Sequence, residues 1–242
     1  MASTRQILSI LAAAAAVDAA FGPAFSTGPV ADNSFIREST STLTLPRLPG
    51  NNAGDLSLWV GMGTSNGDLI QSIADTYQTG DWSIFAYTLL STGRSFYLTL
   101  PACTRRDGIF AKDVVIVANS QMPVQSEATS ASASDRITMH YKYDDGTQNY
   151  TQTVSINDNV VATLSTSDAH ALGWGSAVEC AEENCGTVPA HTWTDTQIIM
   201  DVADPNYINT LGKSQGVTGD MSTSDGGKTW TVSTINIPEF TF

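Results

Sequence analysis

Apolar and polar residues alternate along most of the chain after its first twenty residues. Alternation with a period of two, in segments rich in Val, Ile, Thr, Tyr and Trp, predicts β-strands with one buried face. The pattern predicts strands at residues 40–45, 56–60, 83–89, 136–143, 150–156, 160–164, 196–202 and 229–237. Clusters of Gly, Pro, Asn and Asp separate many of these segments and predict turns. Residues 204–211 could form one or two helical turns, and we therefore predict an all-β fold, an antiparallel sandwich of two sheets.

The first twenty residues have the pattern of a secretory signal peptide. Arg5 precedes the apolar run 7–17, which is too short to span a bilayer, and small residues around Ala19 and Ala20 suit cleavage. We interpret residues 1–20 as the signal and residues 21–242 as a single β-sandwich domain that is secreted and extracellular. The alternative is a buried N-terminal helix. No later stretch is apolar enough for a transmembrane helix, so we expect no membrane contact after cleavage.

Residues 93–118 depart from the pattern of the rest of the domain. They contain four of the eleven basic side chains, together with Cys103, and then run into an apolar stretch. Two interpretations remain open. The segment is either an additional hairpin with an apolar strand, or retained non-coding sequence.

The charge of the chain limits its partners. Among 242 residues, 11 are Lys or Arg and 24 are Asp or Glu, which gives a formal net charge of −13. Such a charge repels a phosphate backbone, so nucleic-acid binding is excluded as a function. A low isoelectric point that comes from scarce basic residues suits a protein that stays folded in acid. We expect a monomer.

The cysteines and one sequon fit an oxidising compartment. Cys180 and Cys185 are close enough in sequence to form a disulfide, which leaves Cys103 over. No His or second Cys pair stands at ligand spacing near Cys180, so we predict no metal site. Asn149 begins the single glycosylation sequon of the chain.

Several kinds of hydrolase can be weighed against the remaining polar residues. Three histidines come without the nucleophile elbow of a serine hydrolase, and no pair of Asp-Thr/Ser-Gly loops indicates an aspartic protease. A glycosidase needs paired carboxylates, and the clustered glutamates do not alternate along one strand. The single Asp-box-like segment 223–230 is explained by a hairpin. The histidines are His140, His170 and His191, and the clustered glutamates are Glu179, Glu182 and Glu183.

Two segments resemble the fungal glutamic peptidases, the eqolisin family. The first is Trp59-Val60-Gly61, followed by Leu69-Ile70-Gln71 with an aspartate four residues later. The second is Val178-Glu179, which precedes a cysteine loop that ends in Val188-Pro189. The resemblance extends from about residue 40 to residue 193, apart from the basic segment. It implies a jelly-roll-like sandwich of concanavalin A type with the active site on its concave sheet, and no cofactor.

The resemblance also implies roles for individual residues. Glu179 would activate a water as general base and then protonate the leaving amine, while the amide of Gln71 would donate to the developing oxyanion. Trp59, Asp75 and Tyr87 would bind substrate. The predicted function is that of a secreted acid endopeptidase acting on polypeptide substrates.

The chain departs from the family at two positions, and other interpretations stay open. Carboxylates expected at Gly63 and at about Phe85 are missing. Trp59 could be a core residue and Asp75 could cap a turn. The alternative functions are a non-catalytic, concanavalin A-like carbohydrate-binding module and a secreted structural protein, because fold does not determine function.

Overall fold

The computed structural model describes residues 20–78, 80–100, 114–181 and 184–242, and almost every element in it is a β-strand. The strands in chain order are β1 Ala20–Thr27, β2 Ile36–Thr44, β3 Asp55–Thr64, β4 Leu69–Tyr77, β5 Trp82–Leu100, β6 Val114–Gln125, β7 Thr129–Ala131, β8 Arg136–Asp144, β9 Asn149–Ile156, β10 Asn159–Thr166, β11 Ala171–Cys180, β12 Thr187–Val188, β13 His191–Met200, β14 Gly212–Lys213, β15 Met221–Ser222, β16 Thr229–Ile237 and β17 Phe240–Thr241. A single 3₁₀ turn spans Tyr207–Thr210, inside the segment predicted to be helical. No helix in these ranges is long and apolar enough to cross a membrane.

Most of the strands form two antiparallel sheets, while β7 pairs with β5 and β12 pairs with β17 in a separate two-stranded sheet. One sheet has the order β14-β1-β11-β3-β4-β5-β6, and we call it the site sheet. The other has the order β10-β9-β8-β2-β13-β16-β15, and we call it the back sheet. A single backbone pair, Ala171 on β11 with Ile36 on β2, connects the two sheets. The predicted two-sheet antiparallel fold is therefore confirmed.

The main core lies between the two sheets. On β3 the even-numbered residues Leu56, Leu58, Val60 and Met62 belong to this core and are completely buried. Trp59 belongs to a second, smaller apolar cluster with Ile73 and Ala177. Since successive strand residues point to opposite faces, Trp59 lies on the outer face of the site sheet.

Two tyrosines of the back sheet bind backbone groups with their buried hydroxyls, Tyr141 across the core and Tyr150 where the two sheets join. The hydroxyl of Tyr141 donates to the carbonyl of Val60 and accepts from the amide of Ser72, both at 2.7 Å. Tyr150 makes the same kind of bridge between the carbonyl of Ile36 and the amide of Ala171. These hydroxyls are buried with their partners, so they fix how the two sheets are placed relative to each other.

Strands β5 and β6 extend into the atypical segment as the two arms of an antiparallel hairpin. Their register runs from Ser95–Asn119 to Leu100–Val114, after an irregularity between Ser91 and Ser95. This is the form that the hairpin interpretation predicts. Cys103 lies outside the described residues, as do the basic residues Arg105, Arg106 and Lys112.

The Asp-box-like segment forms the turn between β15 and β16. Asp225 accepts hydrogen bonds from the amides of Lys228 and Thr229 through Oδ1. Trp230 at its end is 3% exposed and belongs to the main core. The contacts of this motif are those of a hairpin, as the sequence predicts.

Candidate active site

The outer face of the site sheet carries the residues that the sequence singles out. The ladder aligns them in three rows that cross β11, β3, β4 and β5 in that order. The acid row is Glu179, Ser57, Asp75 and Ser83; the apolar row is Ala177, Trp59, Ile73 and Phe85; the amide row is Gly175, Gly61, Gln71 and Tyr87. The candidate site is therefore one continuous surface built from four adjacent strands.

Glu179 lies at the end of β11, immediately before the disulfide loop. The indole Nε1 of Trp59 donates a hydrogen bond of 2.8 Å to Oε2 of this carboxylate. Burial raises the pKa of Glu179 above its usual value, and the nearby charge of Asp55 acts in the same direction, while the Trp59 bond opposes both. A carboxyl group with a raised pKa can exchange protons at a mildly acidic pH, as a general base and acid must.

Replacing Trp59 by phenylalanine is expected to raise the pKa of Glu179 further, because the variant loses the N–H group that stabilises the charged form. The acidic limb of any activity that needs ionised Glu179 should therefore move to higher pH. A pH–rate profile of kcat/KM for wild type and W59F measures this shift. Coincident acidic limbs for the two proteins would show that the indole does not control the carboxylate.

Trp59 is itself only 1% exposed. Ala24, Phe85 and Tyr87 pack against its small apolar cluster. The sequence suggests two roles for Trp59, a core residue and a substrate contact. Neither role alone describes its position. Its ring is buried outside the main core, and its polar edge holds Glu179.

Gln71 lies in the amide row between Gly61 and Tyr87. The residue is 5% exposed, and its Oε1 is buried without a hydrogen-bond partner among the described residues. Gly61 makes room for it, since a Cβ at Gly61 would lie 2.9 Å from the Cβ of Gln71 and 2.7 Å from the carbonyl oxygen of Ile70. Larger residues at position 61 would therefore displace the glutamine.

The structure places Gln71 and Glu179 on the same face but does not bring them next to each other. Along β3 their partners are Gly61 and Ser57, four residues apart, and β3 itself separates their strands. Strand geometry makes this a separation of about 13 Å along the strands and about 10 Å across them. Trp59 occupies the row between them.

Asp75 shares the acid row with Glu179, and only Ser57 stands between them in the ladder. The hydroxyl of Ser57 donates to Oδ1 of Asp75 at 2.8 Å. Burial raises the pKa of Asp75 well above its usual range, and Asp55 raises it further, against the bond from Ser57. Asp75 thus contacts β3 and not Gln71, and it caps no turn.

Asp55 is a further functional candidate, which the sequence-based predictions did not include. Residues 55, 57 and 59 alternate on β3, so the period of two already places Asp55 on the face that carries Trp59. This alternation can be read from the sequence, but the resemblance to the eqolisin family assigns no role to position 55.

Tyr87 ends the amide row, next to Gln71, and Phe85 ends the apolar row. Their ring centroids are 6.3 Å apart in an edge-to-face arrangement. Burial raises the pKa of Tyr87, and the charge of Glu179 contributes in the same direction, so the phenol stays neutral and can donate a hydrogen bond. At the two positions where the family carries acids, this chain has Gly63 on β3 and the apolar ring of Phe85.

The predicted disulfide between Cys180 and Cys185 is confirmed, with a Cα–Cα distance of 5.9 Å. The loop that it closes packs on the segment before β3. At Gly186, with φ of +67°, a Cβ would collide with the backbone of Gly50 and Asn51, which requires glycine there. This loop therefore holds the end of β11, where Glu179 lies.

Replacing Cys180 and Cys185 together by serine is expected to lower the free energy of unfolding by about 2 kcal/mol, because the unfolded chain regains the entropy of a short closed loop. Urea unfolding of the double variant measures the loss. Since Glu179 precedes Cys180, the activity should also fall more steeply than stability alone explains at 25 °C. Unchanged unfolding and activity would show that the bridge is dispensable for this loop.

The other predicted site residues are placed as follows. Asn149 begins β9, where its Nδ2 is 3.3 Å from the hydroxyl of Ser165. Glu182 and Glu183 lie outside the described residues. In the part of the chain that the structure describes, no group of three or more His, Cys, Asp or Glu residues is arranged to hold a metal ion.

The solved structures with a similar fold include two glutamic peptidases. SCP-B, a member of the eqolisin family of peptidases solved in complex with the tripeptide Ala-Ile-His, is 15% identical, with 93% of this chain and 100% of that chain covered and a TM-score of 0.50. The chain has the fold of the eqolisin peptidases. Scytalido-glutamic peptidase, solved with a peptide-based transition state analog, is also 15% identical, with 90% and 98% coverage and a TM-score of 0.47. No protein-family model and no curated protein sequence matches the chain.

The eqolisin fold confirms the predicted architecture, a jelly-roll-like sandwich of concanavalin A type. The match to SCP-B extends over nearly the whole of both chains. At this level of identity the likeness concerns the fold, and the chemistry of the site rests on the residues described above.

Proposed function

We propose that this protein is a secreted acid endopeptidase of the glutamic type, in which Glu179 is the general base. The observation that carries the proposal is the partly buried carboxylate of Glu179, which accepts a hydrogen bond from the indole N–H of Trp59 on the outer face of the site sheet. The eqolisin fold supports it, because one solved member of that family binds a tripeptide. The substrate is a polypeptide, and the reaction needs no metal or organic cofactor.

In the proposed reaction Glu179 removes a proton from a water molecule, which attacks the carbonyl carbon of the scissile peptide bond. The same carboxyl group then protonates the departing amine. This cycle requires a carboxyl group that is ionised at the start and whose pKa is close enough to the working pH to return the proton. The raised pKa of Glu179 meets this requirement under acidic conditions.

The reaction also needs a donor for the oxygen of the attacked carbonyl group. The resemblance assigns this role to Gln71, and the role stays a prediction. The carboxamide of Gln71 can donate a hydrogen bond and lies on the same outer face as Glu179, but it belongs to the amide row, two rows away from Glu179. Its place beside Tyr87 suits it better to hold the substrate backbone further along the same surface.

Secretion and modification belong to the same proposal. The N-terminal pattern of residues 1–20 and the disulfide Cys180–Cys185 both suit an extracellular protein. Asn149 starts β9 at the β8–β9 turn, where a glycan would project from the end of the strands of the back sheet. We propose that the mature protein acts as a monomer without nucleic-acid or membrane partners.

The experiment is digestion of an acid-unfolded protein substrate by the purified mature chain between pH 2 and pH 7, followed by mass spectrometry of the products. We expect internal cleavage at acidic pH that EDTA leaves unchanged. A glycan array with the same preparation tests the alternative function. Binding to glycans without any peptide cleavage would favour a carbohydrate-binding module and overturn the proposal.

A further inference from the structure

A chain of hydrogen-bonded side chains crosses the core between the two sheets and ends at a buried carboxyl group. The hydroxyl of Ser72 donates to Oε1 of Gln152 at 3.1 Å, and Nε2 of Gln152 donates to the hydroxyl of Thr88 at 2.8 Å. That hydroxyl lies 3.2 Å from the hydroxyl of Thr166, which donates to Oδ2 of Asp168 at 2.6 Å. Because the single proton of Thr166 goes to Asp168, Thr88 must donate to Thr166, and every donor in the chain then points toward Asp168.

Asp168 lies in the link between β10 of the back sheet and β11, the strand that carries Glu179. The residue is 7% exposed, and its Oδ1 is buried without a hydrogen-bond partner among the described residues. In the same part of the chain, Thr166 provides its only hydrogen bond, and none of the ion pairs includes it. A buried carboxylate with one donor and no cation is much more costly than the neutral acid. These surroundings therefore suit the protonated form of Asp168.

The titratable groups around Asp168 do not supply a compensating positive charge. Burial raises the pKa of Asp168 to about 6, and the charge of Asp68, in the turn between β3 and β4, acts in the same direction against the one hydrogen bond. Tyr150 on β9 also faces this charge, and its own pKa is raised, so it stays neutral. Arg37 on β2 is bound by two other aspartates. The ring of His170, two residues along the link, packs against aromatic rings instead.

The other end of the hydrogen-bonded chain holds the amide row from behind. Ser72 directly follows Gln71 on β4, and Nε2 of Gln152 also donates to the carbonyl of Tyr87 at 2.9 Å. Gln71 and Tyr87 are neighbours in the amide row. Because Gln152 belongs to β9 of the back sheet, its contacts also tie the two sheets together. Asp168 is therefore connected, through two hydroxyls and one amide, to the strands that carry Gln71 and Tyr87.

We propose that Asp168 is a pH switch inside the sandwich: as the neutral acid it completes the buried hydrogen-bonded chain, and as the anion it breaks the packing between the two sheets behind the amide row. The only chemical step is the loss of one proton from the carboxyl group to water. The switch confines the fully packed structure to acidic conditions. It is a property of the fold, and it does not require that the protein is a peptidase.

The direction of the pH effect follows from the pKa of Asp168 in the folded and unfolded states. The folded protein raises this pKa from the ordinary value of 3.8 to about 6, so the folded state keeps a proton that the unfolded state has lost. The stability that this group contributes is fully present below pH 3.8 and is lost as the pH rises through about 6. A difference of about two pKa units corresponds to a loss of about 100-fold in the folding equilibrium constant at neutral pH.

Urea unfolding of wild type and Asp168→Asn at pH 3 and pH 7 tests the proposal. Asparagine keeps an oxygen that accepts the hydrogen bond from Thr166, but it cannot ionise. Between the two pH values we expect the folding equilibrium constant of wild type to fall about 100-fold more than that of Asp168→Asn. Asp158→Asn, the same change in an exposed turn, is the matched control and should behave as wild type. Equal pH dependence of wild type and Asp168→Asn would overturn the proposal.

NMR titration of wild type provides a second test that does not depend on the folding of Asp168→Asn. We expect the carboxyl ¹³C resonance of Asp168 to titrate near pH 6, and the side-chain amide resonance of Gln152 to shift over the same range. Thr166→Val removes the hydroxyl between them, so the Gln152 resonance should stop following Asp168. Titration of Asp168 at the value of an ordinary aspartate, or a Gln152 resonance that stays constant while Asp168 of wild type titrates, would overturn the proposal. Neither test uses peptide cleavage, so its outcome is independent of the proposed function.

Discussion

Replacing Glu179 by glutamine is expected to abolish peptide cleavage. The substitution keeps the size of the side chain and an oxygen that can accept the hydrogen bond from Trp59, but an amide can neither take a proton from water nor return one to the amine. General acid–base catalysis by one group contributes about 10²–10⁴-fold, and Glu179 acts in both steps, so kcat should fall at least about 1,000-fold. Initial rates on a quenched fluorescent peptide at the acidic optimum measure the loss.

Glu239→Gln is the matched control for this variant. It removes one negative charge from an exposed position near the C-terminus, so it reproduces the change in net charge without touching the site sheet. Equal activity of the Glu179 and Glu239 variants would show that Glu179 is not the base. Because glutamine can deamidate to glutamate in acid, the mass of the variant should be checked at the end of each assay.

The sequence predicts the strands with one buried face far better than it predicts the strands in the middle of the site sheet. Segments such as 136–143 and 150–156 alternate cleanly because one face contacts the core and the other is more open. By contrast, β4 has six consecutive buried residues and β11 is buried on both faces, so neither shows a clear period of two. The structure also begins β13 at His191, five residues before the predicted start at residue 196.

For the candidate site, what the sequence can predict depends on how far apart the paired strands lie in the chain. Strands β3 and β4 are joined by a short turn, so their register, and with it the pairs Ser57–Asp75 and Gly61–Gln71, follows from local sequence. The register of β11 against β3 joins residues about 120 positions apart, and no local pattern specifies it. For this reason the sequence could indicate Glu179 and Gln71 as site residues but could not show that Asp75 and Trp59 are nearer to Glu179.

The cross-sheet bridge of Tyr141 explains how the site sheet keeps this register in the interior of the protein. Val60 and Ser72 face each other across the β3–β4 ladder, and the hydroxyl of Tyr141 reaches from the back sheet to bind both. These backbone groups lie directly behind Trp59 and Gln71, which neighbour them in sequence on the opposite face. The position of the candidate site is thus coupled to a buried hydroxyl of the back sheet.

Replacing Tyr141 by phenylalanine is expected to lower the free energy of unfolding by about 2–4 kcal/mol. The variant keeps the ring and its packing, but it leaves one buried N–H and one buried C=O without a partner, and each such group costs about 1–3 kcal/mol. If β3 and β4 close to bond each other directly, part of this cost is recovered at the expense of moving Trp59 and Gln71. We therefore expect reduced stability together with a raised KM. Urea unfolding and steady-state kinetics measure the two effects.

Tyr143→Phe is the matched control, because it removes the same atom from the same strand. Tyr143 is 8% exposed and its ring packs on Phe35 and Tyr150, but its hydroxyl makes no hydrogen bond within the described residues. The loss of that hydroxyl should therefore change the free energy of unfolding by less than about 1 kcal/mol. Equal destabilisation of the two variants would show that Tyr141 contributes only general packing. A larger loss for Tyr141 with unchanged kinetics would show that the bridge stabilises the sandwich without positioning the site.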